Sequence, residues 1–177
     1  MLSPYVQSTI WETLHRNYMC PYFAKIAFNK SNTCMLCGSL QNTRTHIFIE
    51  CEVILECYLH FLSYTDALVN IGAVNLLERA FGLKTETDDS KILLRNFINF
   101  SIRHIVFRNR HRNLGNCKAV IVRNMIRKIA FFLKSDLKTK FSLALVNRKI
   151  DSFKNTFLID GILGSIDQNV LTLKDLY

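Results

Sequence analysis

The stretch "CMLCGSLQNTRTHIFIEC", residues 34–51, constrains the fold of this chain more than any other. Its spacing, Cys34-x2-Cys37-x8-His46-x4-Cys51, gathers three thiols and an imidazole within eighteen residues. Two cysteines this close on a turn can face one ion, with thiolate sulfurs about 2.3 Å from Zn²⁺. The residues between Cys37 and His46 are enough to loop back, and Gly38 stands where a tight knuckle needs positive φ. His46 and Cys51, at the start of an apolar helical stretch, then supply the third and fourth ligands. Four such donors close a tetrahedral shell around one structural Zn²⁺ and leave no position for a catalytic water. Cys57 and His60 are the alternative fourth ligands, although both also read as core residues of the following helix. The competing reading is that these thiols are buried small hydrophobes, which is how Cys20 and Cys117 are read.

The redox setting favours metal. The N-terminal "MLSPYVQSTIWETLHRN" lacks a basic segment followed by an apolar one, and no apolar run approaches the roughly 18 residues of a membrane span. An intracellular chain in nucleus or cytoplasm is therefore expected, with reduced thiols rather than a disulfide framework. The chain, 177 residues and 49% hydrophobic, can bury a real core.

Periodicity predicts a mainly α fold, a helical domain with a small Cys3His zinc knuckle inserted between helices. "PYVQSTIWETLHRNY" places Val6, Ile10, Trp11 and Leu14 at helical spacing behind Pro4, and "PYFAKIAF" makes a second short helix to complete a hairpin. After the knuckle, "HIFIECEVILECYLHFLSYTDALV" is helical. A further helix, "KILLRNFINFSIRHIVFRNRHRN", starts at Asp88, Asp89 or Ser90 and stops near Gly115. The most amphipathic segment is "CKAVIVRNMIRKIAFFLKSDLK". Val122, Met125, Ile126, Ile129, Phe132 and Leu133 share one side, and Arg123, Arg127 and Lys134 lie within about 40° of each other opposite. Three units are expected: 1–85, the hairpin, knuckle and following helix; 86–150, a basic helical region; and 151–177, a weakly structured tail.

Charge is concentrated in the middle unit. Residues 90–150 hold 15 Lys/Arg against one acid, Asp136, while the segments on either side are weakly acidic. Such a bias suits a polyanion partner. Arg44, Arg95, Arg103, Arg108, Arg110, Arg112, Arg123, Arg127 and Lys134 are the candidates to track an RNA or DNA backbone.

The pattern Cys-x2-Cys-Gly … Thr-x2-His-x-Phe-x2-Cys, carried by Cys34, Cys37, Gly38, Thr43, His46, Phe48 and Cys51, resembles the reverse-transcriptase zinc-binding domain. That domain lies C-terminal to the polymerase in non-LTR (LINE-type) retrotransposon proteins. The Trp11-containing leading segment is similar too, as is the downstream Arg108–Asn109 pair; Asn42, Glu52 and Phe107 depart from the usual acid, proline and tryptophan. The resemblance covers about residues 8–65 and, more faintly, 95–113. It implies a non-catalytic structural-zinc module of a retrotransposon-derived protein, binding RNA or DNA through backbone-directed basic residues. The other reading is an architectural or protein-interaction module, a fragment of a larger polyprotein. No enzyme is expected: "SYTDAL" offers Tyr64-x-Asp66 with Ala67 where a polymerase needs a second aspartate, and no carboxylate cluster, P-loop or nucleophile elbow is present.

Overall fold

A computed structural model describes residues 2–14, 26, 33–40, 43, 45–66, 82, 89–109 and 117–177. Among these the chain is mainly α. The helices are α1 (Pro4–Leu14), α2 (Glu52–Asp66), α3 (Ser90–Asn109), α4 (Lys118–Val146) and α5 (Ile150–Phe157). A π turn at His46–Glu50 precedes α2, and a 3-10 turn at Ile159–Gly161 leads into a hairpin of β1 (Gly164–Asp167) and β2 (Val170–Leu173). The expected second helix at residues 21–28, Cys20 and the Gly115 stop lie outside the described residues, apart from Ile26, which is helical and exposed.

Helix α3 is the axis on which the others pack: α1, α2, α4 and α5 all lie against it. Its start is capped by Asp89, whose Oδ1 accepts the Lys91 N–H at 2.9 Å while its carbonyl accepts the Leu93 N–H at 3.0 Å. Being covered on several sides, it buries Leu94, Phe97, Ile98, Ile102 and Val106 and also Arg95, Asn99, Ser101 and Arg103. In α1, Val6 and Thr9 are buried, and Thr9 Oγ1 lies 2.7 Å from His104 Nδ1 of α3. Trp11, expected on that apolar face, is instead 54% exposed.

Helix α4 follows its pattern. Val122, Met125, Ile129 and Leu133 are buried, Ile126 and Phe132 pack at the flanks, and Leu137, Phe141 and Ala144 extend the same stripe. Its length, about 43 Å at 1.5 Å per residue, lets it support both α2 and α5. The chain then reverses, with the Lys149 N–H donating to Ala144 O at 2.8 Å and Arg148 at φ 54.

Residues 151–177 correct the expectation of a weakly structured tail. Phe153 and Phe157, one turn apart on α5, pack on each other and on Phe141 and Phe97. The hairpin pairs Gly164 with Leu173 through Asp167 with Val170, and both turn residues, Gln168 and Asn169, take positive φ. A Cβ on Gly164 would run into Thr172 O. Beyond β2, Leu176 is buried and its carbonyl accepts a hydrogen bond from His60 Nε2 at 3.0 Å. Apart from Val6, the buried apolar residues thus form one cluster that runs from Cys34 to Leu176.

Candidate metal centre

Two short backbone devices build the site. The first is a knuckle: Met35–Cys37 turn, the Gly38 N–H donates to Cys34 O at 2.8 Å, and the Cys34 N–H donates to Ser39 O at 2.7 Å. Gly38 has φ 78 with open space around its Cα, so glycine is favoured there by conformation and not by crowding.

The second device is the π turn. Thr43 Oγ1 accepts the His46 N–H at 3.0 Å, and Thr43 O accepts the Ile47 N–H at 3.0 Å, which fixes where the turn begins. The Cys51 N–H then reaches back to His46 O at 2.7 Å. In an α-helix, residues five apart would point about 140° away from each other. The wider i→i+5 turn stacks them, so His46 and Cys51 face the same point. Cys51 itself is extended (φ −61, ψ 123), and its carbonyl accepts the Leu55 N–H at 2.9 Å, the first i→i−4 bond leading into α2.

The ligand atoms of Cys34, Cys37, His46 and Cys51 all lie within 4.8 Å of one another. Cys34 Sγ is 4.0 Å from Cys51 Sγ, and Cys37 Sγ is 3.2 Å from His46 Nε2. A tetrahedral zinc shell has edges of roughly 3.6–3.8 Å, given Zn–S near 2.3 Å and Zn–N near 2.1 Å. The four side chains therefore fit a metal ion with adjustments of a fraction of an ångström to about one. Cys34 and Cys51 are fully buried, His46 nearly so, and Cys37 half-buried, so the cluster is largely closed to solvent.

The electrostatics favour anionic sulfur at Cys34 and disfavour it at Cys37 and Cys51. Backbone N–H groups of Leu36 and Cys37 bond to the Cys34 sulfur, that of Ser39 to Cys37, and that of Ile54, in the first turn of α2, to Cys51. The Cys51 thiol donates to Cys34 and holds the Cys34 pKa down to about 5; the same bond, with burial, pushes Cys51 well up. Burial also raises Cys37. A proton thus bridges Cys34 and Cys51 where a cation would neutralise both. Beside the site, Lys118 at the start of α4 bonds both Glu52 and Glu56 of α2 at 2.8 Å, tying the two helix starts together.

The alternative ligands are elsewhere. Cys57 is buried in the core, its thiol pushed up to about 12 by burial, and His60 is engaged with Leu176 O. Cys117 is exposed.

The basic candidates divide. Arg44, Arg110 and Arg112 lie outside the described residues. Arg95 and Arg103, expected to face phosphates, are buried, at 0% and 4% exposure. The reason is the central position of α3: a row at four-residue spacing has no solvent side when neighbours cover the helix. Burial pulls the Arg103 pKa below its usual value. Arg108, Arg123 and Arg127 are exposed; Lys134 is half-buried, bonded to Asp175 at 2.8 Å and set 5.2 Å from the Tyr177 ring centroid. The sequence reading expected exposed aromatics to stack on single-stranded bases without naming them; what it missed is the π turn and which aromatics stand beside the basic face. The wrong-for-α spacing of His46 and Cys51 was the available signal for the first, and Phe131, within 80° of the arginines on α4, for the second.

Among the described residues no helix is long and apolar enough to cross a membrane. Comparison of the chain with protein-family models, curated proteins and solved structures finds no match.

Proposed function

We propose that Cys34, Cys37, His46 and Cys51 hold one structural Zn²⁺, and that the chain is a non-catalytic, zinc-stapled helical module that binds nucleic acid. The convergence of four donors within 4.8 Å carries this reading. Three thiolates and one imidazole are a borderline-soft set that suits Zn²⁺, and all four positions are filled by protein, as in structural rather than catalytic sites. Bound there, zinc would staple the knuckle to the start of α2. The knuckle glycine, the Thr43 cap on His46 and the closing cysteine are the motif residues that prompt the comparison with the reverse-transcriptase zinc-binding domain of retrotransposon proteins. That origin is part of the proposal.

The nucleic-acid half rests on the basic segment 90–150 and on Arg108, Arg123 and Arg127 at the surface. An architectural role is the second reading, favoured by the burial of Arg95 and Arg103 and by the acidic partners of Lys118, Lys134 and Lys140.

Native mass spectrometry of metal-replete, reduced protein tests the first half. About one zinc per chain is expected, lost in the double variant His46→Ala, Cys51→Ser. Absence of zinc from the wild-type protein overturns the reading. For the second half, binding to labelled oligonucleotides should weaken steeply with salt; no binding at low salt leaves the architectural role.

A further inference from the structure

The surface of α4 opposite its core stripe is not simply basic. A cleft of about 780 Å³ lies between the end of α3 and α4, lined by Arg127, Lys128, Phe131, Phe132, Lys134 and Tyr177. A second, of about 410 Å³, continues toward α2 past Arg123, and shares Arg127 and Tyr177 with the first. Together they form a trough along α4 from Ala119 to Ser135, about 24 Å of helix. Two aromatic rings stand in it with little cover: Phe131 is 76% and Tyr177 65% exposed.

The charges along it are mostly uncompensated. Arg123 and Arg127 form no ion pair with any described residue, and the Lys128 ammonium donates to the neutral Asn109 Oδ1 at 2.9 Å. Among the described residues Lys134 alone has an acid, Asp175; Glu56, at the far end, is bonded to Lys118. Arg123 and Arg127 therefore stand on one side of Phe131 along α4 and Lys128 on the other.

We propose that this trough binds single-stranded nucleic acid, with Arg123, Arg127 and Lys128 on successive phosphates and Phe131 and Tyr177 stacking on bases. The proposal deepens the nucleic-acid reading above and rests on it. A duplex matches the charge but keeps its base faces stacked inside, so the rings would find no partner. An acidic peptide also matches the charge but offers no planar faces for them. In a single strand every base has a π-face, and stacking on an aromatic side chain is sequence-tolerant. At roughly 3.4 Å per stacked nucleotide, the trough admits several.

Fluorescence anisotropy of the full chain with labelled 12-mer (U) and (dT) strands and a 12-base-pair duplex tests the assignment at 50 and 200 mM salt. The strands should bind in preference to the duplex. Phe131→Ala and Tyr177→Ala should each weaken strand binding by about 5- to 100-fold, with the duplex within twofold of wild type. Phe131→Tyr, which keeps a ring, should bind as wild type, and zinc content and circular dichroism should be unchanged in all three. Arg127→Gln should lower affinity and reduce the salt slope by about 0.7. Equal binding of duplex and strand, or ring variants that bind like wild type, overturns the trough while leaving nucleic-acid binding standing. Failure of every oligonucleotide to bind at 50 mM salt overturns both. Equal capture of poly-glutamate, lost in the ring variants, gives the trough to an acidic peptide and overturns it too.

Discussion

At neutral pH Cys34, Cys37 and Cys51 do not share protons equally. Cys34, held near 5 by the Cys51 thiol, is a thiolate; Cys51 and Cys37, both raised, keep their protons. Metal uptake at pH 7 should therefore release about two protons per ion. Since the protonated form competes with metal, affinity rises with pH, about hundredfold per unit near neutrality, and more steeply below about pH 5 where Cys34 also protonates. Calorimetry in two buffers of different ionisation enthalpy reads the proton count; release near zero would show that the thiols are ionised already. Gly38 gives a second test. Gly38→Ala meets no atom, so its cost is the left-handed backbone alone, about 1–2 kcal/mol. Chelator competition should show metal affinity lower by about 5- to 30-fold, with Gly38→Asn milder. These residues were readable from sequence because Cys34, Cys37 and Gly38 belong to one turn, where spacing alone decides geometry. The unequal protonation was not, because it depends on how close Cys34 and Cys51 come in space.

Helix α3 carries four Lys/Arg and helix α4 seven, and the two use them differently. Along α4 the apolar positions repeat on one side, so the side left to Arg123 and Arg127 was legible. Along α3, Arg95, Asn99 and Arg103 repeat every fourth residue as a row that looks like a solvent face. The packing of four helices around α3 overrides that pattern, and no single-helix periodicity reports it. Arg95→Met and Arg103→Met should leave oligonucleotide affinity within about twofold, since neither side chain reaches solvent. Arg103→Ala, which also removes the packed aliphatic stem, should lower stability by about 2–4 kcal/mol in urea titration. A marked loss of affinity in the Met variants would mean that α3 opens when nucleic acid binds. The turn before α2 shows the same limit at smaller scale. The sequence predicts helix from His46 onward and places both ligands on it, but the extra residue per turn that aligns them is set by the Thr43 cap at one end and the extended Cys51 at the other.

The molecule closes on itself through residues 174–177, which bridge α2 and α4 by way of His60 and Lys134. Four-residue strands are too short for alternation to announce them, so this part of the fold was hidden although Phe153 and Phe157 already marked a packing face. Leu176→Ala should cost about 2–5 kcal/mol, a fall of roughly 2–4 °C in Tm per kcal/mol for a chain of this size. A metal held by the four proposed ligands would act on the same core. Cys34, Leu36, Ile47 and Cys51 belong to the cluster that includes Leu133, Phe157 and Leu176, so ordering the knuckle would also steady the rest of that core. If the proposed site binds zinc, free zinc at about 1,000 times its Kd would contribute about 4 kcal/mol, or roughly 8–16 °C in Tm. Thermal melts with zinc and with a strong chelator should differ by that amount, and far-UV circular dichroism at 20 °C should change little, because α3, α4 and α5 keep their mutual packing. An unchanged Tm would detach the site from the fold; full loss of helical signal on chelation would show that the knuckle, and not α3, organises the bundle.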